Sequence, residues 1–73
     1  MTNTILLREK ISRSGLKLTF IAQEIGLSRA GLYNKINNRR QFNQFEIDML
    51  CRLLHIRTAK EKEAIFFARH VDA

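Results

Sequence analysis

Proline and tryptophan are absent from the 73-residue sequence, and cysteine and tyrosine each occur once. A single cysteine cannot form an internal disulfide bond. Together with two histidines it supplies three soft metal ligands, whereas a structural zinc site usually has about four. We expect Cys51 to be a core thiol beside a solvated His55, because free cysteine is among the most buried residue types. The sequence therefore predicts neither a disulfide nor a metal site.

Long hydrophobic segments are also missing. The longest apolar run is the five residues from Ala64 to Ala68, whereas a helix that spans a bilayer needs about 20. The first residues carry no positive charge, and Ile5-Leu6-Leu7 is the only apolar stretch before Arg8. No secretory signal is readable in this pattern. We therefore expect a cytoplasmic protein with no membrane partner.

The chain also lacks the features of an enzyme. At 73 residues it forms one domain with a small core, and it is too short to enclose a substrate pocket. It contains no glycine-rich phosphate loop and no Ser/His/Asp or Cys/His set with a third member. We therefore expect no catalytic activity, no cofactor and no small-molecule ligand.

Acidic residues are scarce in the first three-fifths of the chain. Residues 1–44 hold eight basic side chains and two acidic ones, whereas residues 45–73 hold five of each, so the first part carries the whole net charge of +6. A concentrated basic field favours a polyanionic partner, and nucleic acid before membrane. A merely solvated surface is the alternative interpretation of charge alone.

Apolar residues recur at spacings of three and four, which predicts helices rather than strands. Helix boundaries follow from capping residues and from glycines that can adopt positive φ. The first predicted helix runs from about Thr4 to Ser14, with Asn3 or Thr4 as its cap. The others run after Thr19, a good N-cap, to before Gly26, after Ser28 to about Asn37, after Asn43 to about Leu54, and from the capping box that begins at Thr58. The sequence thus predicts a compact all-α domain of five helices over residues 1–73.

Residues 19–38 form a unit of two short helices around a tight turn. Two helices that cross steeply must approach closely, so a small residue such as Ala22 fits the crossing. Gly26 adopts the turn conformation without a Cβ penalty, Leu27 is an apolar plug beneath the turn, and Ser28 caps the next helix. This pattern is typical of a helix-turn-helix, in which the second helix enters the major groove of DNA.

The segment from Ile21 to Leu32 resembles the helix-turn-helix of the lambda-repressor-like regulators, the Cro/C1 or XRE group. The resemblance extends over roughly residues 5–56, and it is closest to short phage and prophage regulators without a second domain. It implies a sequence-specific double-stranded DNA-binding transcriptional regulator of phage or mobile-element origin. Two positions depart from the family pattern. Lys35 stands where the family often has an apolar residue, a packing role that we assign to Ile36, and Phe20 stands where the family usually has a polar one.

The second helix of this motif presents a polar face. At about 100° per residue, Leu32 and Ile36 point one way and the polar residues point elsewhere. An arginine suits guanine, an asparagine suits adenine and a small methyl suits the methyl group of thymine. The alternative for the asparagines is that they are ordinary polar residues on an exposed helix face. The predicted base-reading residues are Arg29, Ala30, Tyr33, Asn34 and Asn37.

Phosphate contacts are expected at the edges of the motif. No acidic residue lies between Gly26 and Phe45, so nothing in that segment repels phosphate. The alternative for the paired arginines in the loop is ordinary solvated charge. By the family resemblance, the phosphate-binding residues are Lys17, Thr19, Ser28, Asn38, Arg39 and Arg40.

The fifth predicted helix suggests a homodimer. Ile65, Phe66 and Phe67 follow one another, and one helix face cannot bury all three. The helical wheel places Phe66 away from the side shared by Ala64, Phe67 and Ala68, so we expect Phe66 to remain exposed and all three residues to belong to a dimer surface. The alternative is a monomer whose tail folds back over Phe20 or Phe42.

A second class of function remains open. The same fold serves protein-interaction modules such as antitoxin-like or antirepressor-like proteins, which use an apolar surface. The charge distribution favours DNA, whereas Phe20, Phe66 and Phe67 favour a protein partner. Salt dependence of binding to nonspecific duplex separates the two, because phosphate binding has a steep salt slope.

Overall fold

Five short α-helices make up most of residues 1–69, the part of the chain that the computed structural model describes. That part contains no β-strand, so the predicted all-helical class is confirmed. None of its helices is long and apolar enough to cross a membrane. The helices are α1 (Thr4–Ser14), α2 (Leu18–Ile25), α3 (Arg29–Ile36), α4 (Gln44–Leu53) and α5 (Ala59–Phe66).

Four helices begin at a polar side chain that caps the free N–H groups of the first turn. The Asn3, Ser28 and Thr58 side chains each accept a hydrogen bond from the backbone N–H three residues later. Asn43 and Glu46 form a reciprocal capping box, with bonds of 2.8 and 2.9 Å. These caps are the ones predicted from the sequence, because capping depends on residues within one turn of each other.

The start of α2 differs from the prediction. The helix begins at Leu18 with Lys17 at the N-cap position, so Thr19 lies inside the first turn and is not the cap. The earlier start places Leu18 against the hydrophobic core. The Lys17 side chain has no acceptor to offer and makes no capping hydrogen bond. The first turn of α2 is therefore the one that no side chain caps.

The core takes one fully buried aliphatic side chain from each helix. α2 packs against α3 and α4, and α1 packs against α3 and α5. Ile36 is buried. This agrees with the expectation that Ile36 takes the apolar packing role that Lys35 cannot fill. The five largest fully buried side chains are Leu7, Ile21, Leu32, Leu50 and Ile65.

Four helices end at a residue in the left-handed conformation, α1 at Gly15 with φ 72°, and the other three share one pattern of hydrogen bonds. Those three residues are Gly26 with φ 79°, Asn38 with φ 64° and His55 with φ 57°. In each case the next N–H donates to the carbonyl five residues earlier, at 2.9 Å, which is the Schellman arrangement. Asn and His are among the residues that tolerate this conformation best after glycine. The chain therefore turns sharply after α2, α3 and α4.

The end of α5 contradicts the prediction for the phenylalanines. Phe66 is 4% exposed and Phe67 is 50% exposed, the reverse of the expectation, and Ala64 is exposed as well. The helix ends at Phe66, so the wheel does not apply to Phe67. Phe42, in the loop before α4, packs edge-on against Phe66 with ring centroids 5.8 Å apart. Phe42 belongs to another part of the chain, and the helical wheel of α5 alone does not include it.

Replacement of Phe66 by alanine is expected to lower the free energy of unfolding by about 3–5 kcal/mol, because it leaves a cavity beside Phe42. Phe67→Ala, at the neighbouring exposed position, is the matched control and is expected to change it by less than about 0.5 kcal/mol. Urea denaturation followed by circular dichroism measures both. Equal effects of the two substitutions would contradict this assignment of the core.

Candidate functional site

One face of α3 is open to solvent while the other packs into the core. Arg29, Ala30 and Tyr33 are exposed, Asn34 and Asn37 are half-buried, and Leu32 and Ile36 are buried. The direction in which each side chain points is therefore the one expected from the helical period. The face combines a cation, a methyl group, a phenol and amides. This face of five residues is called the α3 face below: Arg29, Ala30, Tyr33, Asn34 and Asn37.

Arg8 reaches the α3 face from α1. Its guanidinium carbon lies 5.7 Å from the centroid of the Tyr33 ring, which is within the range of a cation–π contact. Its Nη2 donates to Oδ1 of Asn37 at 3.2 Å. Sequence analysis missed this residue, because the contact joins positions 29 apart. A pattern within one helix carries no signal for it.

The two asparagines of the α3 face have different surroundings. Asn37 uses both ends of its amide within the protein, since Oδ1 accepts from Arg8 and Nδ2 donates to the Tyr33 carbonyl at 3.0 Å. Oδ1 of Asn34 accepts a long hydrogen bond of 3.4 Å from Arg39. Within residues 1–69, Nδ2 of Asn34 has no hydrogen-bond acceptor. Asn34 is thus the amide that can turn to a ligand, and Asn37 holds Tyr33 and Arg8 in place.

The start of α2 borders the same surface. Lys17 and Thr19 are exposed, and Leu18 between them lines a groove of about 280 Å³ next to Arg8 and Tyr33. Ser28 is exposed too, and its hydroxyl oxygen accepts from the Gly31 N–H at 2.9 Å. The Ser28 hydroxyl can still donate to a ligand. The groove is lined by Arg8, Ile11, Ser12, Leu18, Tyr33 and Ile36.

The loop between α3 and α4 carries two exposed arginines, Arg39 and Arg40. Asn38, which was expected to contact phosphate with them, is directed elsewhere. Its Oδ1 accepts from the Thr2 N–H and its Nδ2 donates to the Thr2 carbonyl, both at 2.8 Å. Both ends of this amide are therefore used by the fold. The structure thus gives the Asn38 side chain a structural role, and its phosphate contact stays a prediction.

The basic residues divide into paired and unpaired groups. Four form ion pairs, Lys10 with Glu61, Arg13 with Glu9, Lys35 with Glu46 and Lys62 with Asp48, at 2.7 to 3.2 Å. The hydrogen bonds from Lys62 and Gln44 lower the pKa of Asp48. Along residues 1–69, five cations on or next to the α3 face have no carboxylate partner: Arg8, Lys17, Arg29, Arg39 and Arg40.

Cys51 and His55 lie at the other end of the domain core, near the C-terminus of α4. Cys51 is half-buried and burial raises the pKa of its thiol, while His55 is exposed. They border a separate groove with two further unpaired arginines, Arg52 and Arg57. In the described part of the chain no three His, Cys, Asp or Glu side chains are grouped so that they could hold a metal ion.

The residues expected at a dimer surface are not brought together. Ile65 and Phe66 belong to the hydrophobic core, and Phe67 is the exposed member of the three. Phe20, whose role the sequence did not explain, is 44% exposed on α2. A dimer through α5 would therefore have to use Phe67 rather than Phe66.

Comparison with known proteins assigns no family to the chain. No protein-family model matches it, and the searches of curated proteins and of solved structures found no match. The resemblance to lambda-repressor-like regulators stands on the residues of the sequence itself.

Proposed function

We propose that the protein is a sequence-specific double-stranded DNA-binding transcriptional regulator. α2, the turn at residues 26–28 and α3 act as a helix-turn-helix, and α3 enters the major groove. The observation that carries the proposal is the set of five unpaired cations around the α3 face. A surface that offers cations without internal partners attracts a polyanion. The paired lysines and arginines elsewhere have their charge compensated within the chain.

The packing of α2 on α3 supports this unit. Ala22 is buried on α2, which packs against α3 and α4, and a larger side chain there would disturb this packing. Gly26 ends α2 in the left-handed conformation, and the Leu27 N–H closes the turn on the Ala22 carbonyl at 2.9 Å. Leu27 packs against the core and Ser28 caps α3. These are the roles that a tight turn between steeply crossing helices requires.

Phosphate groups are bound by the cations at the edge of the α3 face. The uncapped first turn of α2 presents free N–H groups next to Lys17, and such N–H groups together with the helix dipole favour an anion. Ser28 adds a hydroxyl, and Arg39 and Arg40 flank the other end of α3. Arg8 joins this set as a residue of α1. These contacts fix the position of the domain on the duplex and carry no sequence information.

Base edges are read by the residues that remain free on the α3 face. Arg29 at the first turn of α3 suits guanine, and the free amide nitrogen of Asn34, one turn later, suits adenine. Ala30 is exposed between them and suits the methyl group of thymine. Tyr33 reaches the groove with its ring fixed by Arg8. Asn37 serves this face by orienting its neighbours.

A protein-interaction module is the second candidate function. Phe20 and Phe67 are large apolar side chains that stay exposed on the surface, at 44% and 50%. Homodimerisation through the end of α5 belongs instead to the proposed regulator, because a dimer reads two half-sites, and in this structure it would depend on Phe67. Titration with nonspecific duplex at two salt concentrations separates the candidates, because a protein without phosphate contacts shows no salt-dependent binding.

Substitution of Arg29 or Asn34 by alanine is expected to weaken binding to the preferred site by about 1–3 kcal/mol each. Preference should relax at one or two base pairs, because each side chain reads one base edge. Selection of bound sites from random duplex, followed by gel-shift titration of each variant, measures both effects. Unchanged affinity and base preference in both variants would exclude α3 as the reading helix.

Removal of Arg39 and Arg40 together is expected to weaken all duplex sequences alike. The slope of log K against log salt should flatten by about 2, roughly one for each lost phosphate contact. The control with the same loss of charge is Arg52→Ala with Arg57→Ala, two unpaired arginines at the end of α4. If both double variants flatten the slope equally, net charge rather than the loop determines the binding.

Arg8→Ala should weaken duplex binding and flatten the salt slope by about 1, since the residue loses its phosphate contact and no longer holds Tyr33. Arg13→Ala is the matched control on the same helix, because that arginine is paired with Glu9. Fluorescence anisotropy with labelled duplex at several salt concentrations gives both slopes. Equal slopes for the two variants would remove Arg8 from the interface.

A further inference from the structure

The N-terminal segment, residues 1–4, connects the end of α5 to the end of α3. The Asn3 N–H donates to the Ile65 carbonyl at 2.6 Å. The Thr4 hydroxyl donates to the Ile36 carbonyl, also at 2.6 Å. Thr2, the residue before Asn3, is buried. The hydrogen bond from Thr4 therefore ties the N-terminal segment to the C-terminal end of α3.

Asn38 extends this connection into the basic loop. The residue lies in the left-handed conformation two residues after the end of α3, and its amide exchanges two hydrogen bonds with the backbone of Thr2, both at 2.8 Å. A primary amide can pair with a peptide group in this way, because its carbonyl oxygen accepts from the peptide N–H while one of its two N–H groups donates to the peptide carbonyl. The two bonds join positions 36 apart, so the loop is held at its first residue by the distant N-terminal segment.

The other end of the loop is fixed as well. Phe42 packs edge-on against the buried Phe66 ring. Asn43 begins α4 in the capping box with Glu46, whose carboxylate also accepts from Lys35 at 2.7 Å. Arg39 and Arg40 are thus exposed residues of a loop that is anchored at both ends. Their backbone has few conformations left to lose when the side chains bind an anion.

We infer that Asn38 and the N-terminal segment position Arg39 and Arg40 for the DNA backbone. Asn38 is a positioning residue, since its own amide is engaged with Thr2 and does not touch the phosphate. The inference rests on the proposed function and adds the element that pre-organises the phosphate contacts of the loop. A pre-organised loop binds more tightly because less ordering is required on association.

The test uses Asn38→Gly in the full chain. Glycine retains the left-handed backbone conformation and removes the two amide bonds to Thr2. His55→Gly is the matched control, because His55 is an exposed residue in the same conformation at the end of α4. Thr4→Val, which removes the hydrogen bond to the Ile36 carbonyl, is a second variant of the same connection. Each substitution is made in the parent and in the Arg39→Ala/Arg40→Ala background.

In the parent background, Asn38→Gly is expected to raise the Kd for duplex DNA about tenfold and to flatten the salt slope. Thr4→Val should act in the same direction, and His55→Gly should leave both quantities unchanged. In the background without the two arginines, Asn38→Gly should change the Kd by less than about twofold, because the residues act as one unit. If Asn38→Gly caused only a general loss of stability, the melting temperature would fall and the change in Kd would not depend on the two arginines.

A readout without DNA accompanies the titrations. ¹⁵N relaxation of the Arg39 and Arg40 amides should show order parameters of about 0.85 in the parent and below about 0.6 in Asn38→Gly. Unchanged order parameters, or the same loss of affinity in both backgrounds, would overturn the inference while leaving DNA binding intact. A parent chain without salt-dependent binding to duplex would instead overturn the proposed function, and the inference with it.

Discussion

The ion pair between Lys35 and Glu46 is the interaction on which the arrangement of α3 and α4 depends. Both side chains are largely buried, and both carboxylate oxygens accept from the lysine ammonium, at 2.7 and 2.8 Å. The same carboxylate also accepts the Asn43 N–H in the capping box of α4. A buried ion pair is tolerated where further hydrogen bonds offset the desolvation of its charges, and removal of one partner leaves an uncompensated charge. Lys35 and Glu46 thus fix the end of α3 to the beginning of α4.

This pair also determines which charges of α3 face solvent. Lys35 is the one cation within α3 that turns inward, to the acid of α4, and Arg29 remains on the open face. An apolar residue at position 35 would pack the same interface but would leave Glu46 without its cation. The position that departs from the lambda-repressor-like pattern therefore has a local explanation in this chain. Ile36 supplies the apolar contact, and Lys35 supplies the charge that Glu46 requires.

The features that sequence reasoning predicted are local ones, whereas most of the features it missed join distant residues. The caps at Asn3, Ser28, Asn43 and Thr58 are each determined within one helical turn, and so is the exposure of the α3 face. The burial of Phe66 depends on Phe42, and the position of Arg8 depends on Tyr33. The start of α2 at Leu18 was missed although it is local, because a good capping residue at Thr19 was outweighed by the packing of Leu18.

The asparagines at the end of α3 show that a polar residue which the sequence assigns to a ligand can also serve the fold. Asn37 and Asn38 follow one another, yet each directs its whole amide to a partner inside the protein. An amide has two N–H donors and an oxygen with two lone pairs, so these internal bonds fix the orientation of each side chain and leave it reduced capacity for a ligand. Arginine differs, because its five donors allow Arg8 to bond Asn37 and still offer N–H groups outward. In the proposed complex the arginines around the α3 face therefore contact the ligand together with Lys17 and Asn34, and Asn37 and Asn38 hold the neighbouring side chains and backbone in place.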